Sequence, residues 1–524
     1  AADHEIMRRL RERYKAIQIS FQMTDAVWRS TEELDMHIAH LIGRDGAVEA
    51  LCRTVTSNLD WRVSGGGEAF QPVAEMAKAY ATPSSRYFRE ASLLDMIRAL
   101  LDHLAVFVHD GCEKPGNWWA WDIGIPMRLG DMLIHVGDDL SEGCRQQWLA
   151  ALAYLNPDIL VRPPDPQSGA NGLWITFNNF KYGLVTEDPR YIKAARDVMA
   201  TICRISETEG IQTDYSYHFH GPGLNMGYGG DQLFDVSRYV YVTAGTPFAL
   251  PAAALDTHLR WVTDFVIWNM RGGGQNPYSM GRAGTRGDTG HSSLRMHMSA
   301  IVYLTAAGVD SEGRLAGYLK EWVDRFGLDD LPLEVRPLLS EILRSAAEPC
   351  FPIGVRYYPR SDYLAIQRDH YAAWIRMHGR KRLNWFSIHH ENRKGWYAGD
   401  GTLVIMQTGC EYKDGVLATQ DWERLPGITR AVDDRYKRPQ GKLGQSELVA
   451  GVSLASETGA CAFDFVVQPE VGQPLRARKS WFALPDGSIV AVGSGITLDE
   501  EIAVETVVDQ RPIDDTEYIH LEGQ

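Results

Sequence analysis

Clustered cysteines are missing from this sequence. Its seven cysteines lie far apart, at positions 52, 112, 144, 203, 350, 410 and 461, and no CxxC pair occurs. That spacing excludes a zinc ribbon and a disulfide-dense scaffold. An odd number leaves at least one thiol free, and most are expected to act as small buried hydrophobes. Long apolar runs are also missing: none reaches the roughly 18 residues that a membrane-spanning helix needs. Positive charge is in deficit. Lys and Arg number 53 against 68 Asp and Glu, a formal net charge of −15, which argues against a nucleic-acid partner. It argues only weakly against an acidic polysaccharide, because a cleft can be basic on an acidic protein. Arg376-Met377-His378-Gly379-Arg380-Lys381-Arg382, followed by Arg393-Lys394, reads either as the lining of such a cleft or as a solvated strand end. No basic-then-apolar leader precedes Ala1-Ala2-Asp3-His4. If the protein is exported, this is the mature form, secreted or periplasmic, with its signal peptide removed.

What is present is the composition of a globular protein, with 44% hydrophobic and 23% charged residues. A chain of 524 residues is too long for one ordinary core, so two domains are expected. Residues 1–345 read as helical. In Ser92–Leu104, apolar side chains recur at 93, 97, 100 and 104, one helical stripe, with Ser92 and Asp95 resembling a capping pair. Tyr191–Ile205 and Glu312–Phe326 repeat the pattern. Proline-rich breaks follow at Leu331–Pro337 and Glu348–Pro352. From 346 to 524 the grammar is β-type: runs at 363–366, 373–377, 402–406 and 462–467, and a hairpin around Asp486-Gly487. The predicted architecture is a helical domain of stacked hairpins followed by an antiparallel β-sandwich.

A dispersed polar set carries the chemistry: Asn171, His220, Tyr228, Arg282 and Arg286. An amide, an imidazole, a phenol and two guanidiniums suffice to remove a carbon-bound proton beside a carboxylate without a metal. Amide donors on the carboxylate stabilise the enediolate; one well-placed donor is worth ~3–4 kcal/mol. His220 is either the base, with Tyr228 as acid, or a carboxylate binder while Tyr228 does both jobs. Arg282 or Arg286 beside Tyr228 is expected to favour phenolate. The guanidinium fork suits carboxylate or sulfate, and Gly281 and Gly284 argue for an extended or looped backbone there. Each residue also has a plainer reading: Asn171 as a helix cap, Tyr228 as an aromatic plug in a tight turn, the arginines as surface ion pairs. Trp118, Trp119 and Trp121 offer faces for sugar rings; adjacent tryptophans cannot all face one core, so at least one is expected to line a groove, with core packing of the other two as the plainer reading. His389-His390-Glu391 matches no metal-protease spacing such as HExxH, so no catalytic metal is expected.

Six motifs, in order, resemble polysaccharide lyase family 8, which includes chondroitin AC, hyaluronan and xanthan lyases. They are Asn117-Trp118-Trp119-Ala120-Trp121; Ser168-Gly169-Ala170-Asn171; Asp214-Tyr215-Ser216-Tyr217 through His220-Gly221-Pro222; Gly281-Arg282 through Arg286; Glu391-Asn392-Arg393-Lys394-Gly395-Trp396-Tyr397; and Trp422–Thr429. The resemblance implies an incomplete α/α toroid at 1–345 and an antiparallel β-sandwich domain at 346–524. It implies Asn171, His220, Tyr228, Arg282 and Arg286 as catalytic residues, and Asn117, Trp118, Trp119, Trp121, His218, His389, Glu391 and Asn392 as substrate-binding ones. Three departures stand out. The loop from His220 to Tyr228 is one residue short, leaving His218 as a rival imidazole. Phe386 and His389 occupy positions where the family often has Glu and Asn. The β-rich part is shorter than usual, which implies a short member or a missing C-terminal piece.

The implied activity is β-elimination on a uronate-containing acidic glycan, chondroitin or hyaluronan first, leaving 4,5-unsaturated uronate ends, with no cofactor needed for catalysis and neither membrane nor nucleic acid as partner. The alternatives are a xanthan- or alginate-type lyase, an inverting glycoside hydrolase, and a non-catalytic glycan-binding protein. The hydrolase needs two carboxyls roughly 6.5–9.5 Å apart, with Asp122, Asp214 and Glu391 as candidates.

Overall fold

The computed structural model of the protein describes residues 2–19, 27–43, 45–58, 67–165, 168–286, 289–454 and 457–513. Helices run from Ala2–Ile17 to Arg336–Leu343, and the first strand of the β-rich part begins at Gly354. The stripe predicted near Leu93 lies on the helix Ala91–Leu104, with Leu93, Ile97, Leu100 and Leu104 buried. Its cap differs from expectation. Glu90 accepts the N–H of Leu93 at 2.9 Å, and the hydroxyl of Ser92 donates to that same carboxylate. A full negative charge at the positive end of the helix outcompetes a hydroxyl there. The helix Pro189–Ile202 buries Ile192, Ala195, Val198, Met199 and Ile202 as its periodicity predicts. Two short hairpins interrupt the helical part, Gly210–Ile211 with Tyr217–His218 and Met270–Arg271 with Gly274–Gln275. Two-residue ladders are too short for sequence periodicity to register.

A buried polar network ties four helices together. The Tyr14 hydroxyl donates to Asp131 at 2.6 Å, Lys181 donates to Asp131 at 3.0 Å, and Arg238, paired with Asp235 on its own helix at 2.6 Å, donates to the Tyr14 hydroxyl at 3.4 Å. Buried charges are tolerated only when paired in this way. The network fixes the helix Gly169–Thr186 against the helix Met226–Thr243, the two that carry Asn171 and Tyr228.

The β-rich part contains two antiparallel four-stranded sheets. One orders Gly354–Tyr358, Tyr363–Gln367, Ala372–Arg376 and Thr402–Met406; the other orders Val449–Leu454, Thr458–Val467, Leu475–Ala483 and Ile489–Thr497. The Asp486-Gly487 turn joins the last two strands, with Gly487 in the left-handed region at φ 88°. In the first sheet, every residue of the two middle strands is buried. Alternation explains this. Leu364, Ile366, Ala373 and Ile375 face Phe463, Phe465, Ala477 and Trp481 of the second sheet, while Tyr363, Ala365, Trp374 and Val404 join the helical core. Trp374 Nε1 donates to Trp268 O at 2.8 Å, and Arg271 donates to the carbonyls of Gln407, Arg368 and Asp369. Arg376, read from sequence as part of a basic cleft or a solvated strand end, is neither: it is buried and donates to Tyr278 O across this seam. Loops of the sandwich are therefore held against the helical part.

Candidate active site

Asn171 is the third residue of its helix, whose first residue, Gly169, has φ 57°. A Cβ on Gly169 would lie 1.7 Å from Cε2 of Phe219, so only glycine lets the helix start against that ring. The cap position is Ser168, not Asn171. No hydrogen bond from the described residues engages the half-buried Asn171 amide. One turn on, Trp174 meets Trp119 edge-on at 5.7 Å, which brings the tryptophan segment beside the same helix.

Phe219 is the hub of the site. Its ring lies 4.6 Å from both the His220 and Tyr228 rings, and His220 lies 5.0 Å from Tyr228. Asn225 holds the chain between them, donating to Phe219 O at 3.2 Å. Tyr228 does not plug a tight turn. It sits in the first turn of the helix Met226–Thr243. Gly227 before it admits the carbonyl of Met280, which a Cβ would meet at 2.4 Å. That close approach delivers the arginine turn. Gly281–Thr285 is a short 3-10 helix rather than an extended loop. Arg282 lies 5.4 Å from the centre of the Tyr228 ring. Arg286 forms a forked pair with Glu391, one arm at 2.8 Å, and Arg282 approaches the same carboxylate at 3.5 Å. The arginines do form ion pairs, but partly buried ones to a sandwich loop and not the surface pairs expected.

The protonation states differ from one sequence expectation. Burial is the largest influence on Tyr228 and raises its pKa; Asp231 and Glu391 push the same way. Arg282 and Arg286 pull it down as anticipated but do not prevail, so the phenol is held protonated rather than poised as phenolate. Burial, Arg282 and His389 all lower the pKa of His220, which keeps that imidazole neutral at pH 7. One turn after Tyr228, Asp231 is buried; burial and Asp235 raise it well above the usual carboxylate range against the pull of Arg286 and Arg282. The spacing Tyr228-Gly229-Gly230-Asp231 signals this i, i+3 neighbour in sequence, yet sequence reading passed over it, as it did Phe219.

Two predicted substrate-binding residues lie elsewhere. His218 is fully buried, bonded to Ser361 Oγ at 3.0 Å, and burial lowers its pKa to about 3. The strand ends at His218 and the chain turns through a left-handed residue at His220, φ 57°, so the two imidazoles do not share a face as strand alternation would otherwise require. Trp121 is buried, with Nε1 donating to Pro115 O at 2.8 Å. Trp118 is 52% exposed and Trp119 partly so. Asn117 is exposed and accepts the N–H of Trp119 at 3.0 Å. His389 is exposed with φ 52°. Asn392 braces the loop, donating to Gly281 O at 3.2 Å and Phe386 O at 3.0 Å. The carboxylates considered for hydrolysis are engaged: Asp122 with Lys114 at 3.1 Å, Asp214 with Ser216 and Arg360, Glu391 with the arginines. Of the seven cysteines, Cys112, Cys203 and Cys461 are buried, Cys350 and Cys410 exposed, and none is paired.

Comparison with known proteins places this geometry in a family. Residues 50–318 match the model described as polysaccharide lyase family 8, N terminal alpha-helical domain, and residues 353–524 match its super-sandwich domain. Hyaluronate lyase HylB of Enterococcus faecalis is 23% identical over 491 residues, covering 85% of this chain and 48% of its own. Xanthan lyase of a Bacillus species is 26% identical over 460 residues, with 85% and 48% covered. The chain thus spans about half the length of these relatives. The solved chondroitin AC lyase of Streptomyces coelicolor A3, in complex with chondroitin sulphate, superposes with a TM-score of 0.81 at 22% identity, over 100% of this chain and 74% of its own. With the two models in order and together matching most of its length, this chain belongs to polysaccharide lyase family 8.

Proposed function

We propose that this chain carries the elimination site of a polysaccharide lyase acting on a uronate-containing glycan, with His220 as base and Tyr228 as acid. The observation that carries the assignment is the pairing of a neutral-biased imidazole and a protonated phenol 5.0 Å apart beside two guanidiniums. His220 is exposed and Tyr228 partly so, and among the described residues neither side chain has a hydrogen-bond partner. Asn171, with an arginine, neutralises the uronate carboxylate and stabilises the enediolate. His220 takes the C5 proton. The electron pair forms the C4–C5 double bond, the C4–O bond breaks, and Tyr228 gives its proton to the leaving glycosidic oxygen. Transfer of the proton from His220 to the phenolate restores both groups. No step calls on a metal or cofactor.

The preferred substrate class is chondroitin or hyaluronan, with xanthan next; relatives named for all three resemble the chain to similar degrees. Exposed Trp118 and half-exposed Trp119 supply faces for sugar rings. Incubation with each polymer, following the ultraviolet absorbance of the unsaturated uronate, tests the reading. New reducing ends without that absorbance would mean hydrolysis, and binding without turnover would mean a glycan-binding protein.

A further inference from the structure

Histidines that move protons usually owe their orientation to a hydrogen bond on the second ring nitrogen. His220 has none among the described residues. Its backbone lies in the left-handed region at φ 57°, an unusual setting for a side chain of this size. Three rings touch it instead, while the residue as a whole stays exposed. Phe386 stacks on the imidazole at 4.8 Å and 11°, nearly parallel; Phe219 and Tyr228 meet it edge-on at 4.6 and 5.0 Å. A parallel stack covers a ring face and leaves the in-plane nitrogens uncovered.

Phe386 is itself held from both sides. Before it, Leu383 N donates to Pro222 O at 3.0 Å. After it, Asn392 bridges Phe386 O and Gly281 O, and its N–H reaches Thr285 Oγ1 at 3.0 Å. The loop from the sandwich is thus pinned to the His220 segment and to the arginine turn, with Phe386 between the pins. The charged and titratable groups around His220 are Arg282 from the arginine turn, His389 from the Phe386 loop, Tyr228 from the Met226–Thr243 helix, and Glu209, which accepts the N–H of Gly221 at 3.1 Å.

The geometry points to Phe386 as a positioning residue: its flat ring, braced by Asn392, orients the His220 imidazole in place of a hydrogen-bonded partner and leaves both ring nitrogens free for proton transfer. This rests on His220 being the base of the proposed elimination. The test compares the full chain with Phe386→Ala, Phe386→Leu and Phe386→Tyr, by steady-state kinetics and by NMR titration of the His220 ring, its signal assigned by loss in His220→Gln. Phe386→Ala and Phe386→Leu should lower kcat by about 100-fold, the scale of a 1 Å misplacement, with KM little changed. Their His220 titration should move up toward the ordinary value of about 6.5 as the apolar ring is removed from its face. Phe386→Tyr, which keeps the flat ring, should restore both. Wild-type kcat together with an unchanged His220 titration in Phe386→Leu would overturn the assignment. If the wild-type chain yields no unsaturated product, the lyase reading fails, but the titration still decides: a shift in Phe386→Leu reversed in Phe386→Tyr supports the positioning role, and no shift overturns it.

Discussion

Tyr228→Phe removes one oxygen and little else. The ring keeps its contacts with Phe219 at 4.6 Å, His220 at 5.0 Å and Arg282 at 5.4 Å. The hydroxyl has no hydrogen-bond partner among the described residues, so its loss strands no buried group. Stability should therefore change by no more than about 0.5 kcal/mol, and affinity for an oligosaccharide should be nearly unaltered. The rate should not survive. A positioned general acid contributes roughly 10²- to 10⁴-fold, or about 2.7–5.4 kcal/mol of barrier at 1.36 kcal/mol per decade. Because burial keeps the phenol protonated, the deficit should persist across neutral pH. Unsaturated-product absorbance gives kcat, a thermal melt gives stability, and oligosaccharide titration gives affinity. A variant within threefold of wild-type kcat would refute the role of Tyr228. A variant that loses rate and melts several degrees lower would refute the claim that the hydroxyl is structurally idle.

Other consequences are as direct. Since burial, Arg282 and His389 lower the pKa of His220, its basic form persists below pH 6.5; kcat/KM should fall on the acid side only below that value, and an acid limb above pH 7 would contradict the assignment. His220→Ala should abolish turnover and leave folding intact, whereas His218→Ala, which deletes a buried ring bonded to Ser361, should cost about 1–3 kcal/mol of stability with a milder effect on kcat. In the sandwich, Asp400 accepts from Arg438 at 2.6 Å and meets His378 at 2.7 Å, all buried. Burial raises the pKa of Asp400, but Arg438 and His378 outweigh it and the net shift is downward. Its stabilisation is thus present above the unfolded value near pH 4 and lost as pH falls through the lowered one. Asp400→Asn should cost ~3–5 kcal/mol by stranding a buried charge, read by chemical denaturation at pH 7.

The sequence showed what depends on local pattern. The stripe through Leu93, Ile97, Leu100 and Leu104 and the Asp486-Gly487 hairpin follow from periodicity and turn chemistry, and the order of six motifs announced the helical and sandwich parts together. What escaped depends on three-dimensional surroundings. Arg282 and Arg286 were visible beside Tyr228, but not the burial, Asp231 and Glu391 that reverse their effect. His218 and His220 are indistinguishable as letters and separate only because the strand ends at His218 and the backbone turns through a left-handed His220. Phe386 appeared only as a departure from the family pattern, because its contact with His220 crosses from the sandwich to the helical part.

The most direct measurement incubates the protein with a panel of uronate polysaccharides, with and without chelator, and follows ultraviolet absorbance of the 4,5-unsaturated product. A rise on a chondroitin- or hyaluronan-type polymer that chelator does not alter is the expected result. New reducing ends without absorbance, or a rise abolished by chelator and restored by metal, would contradict it.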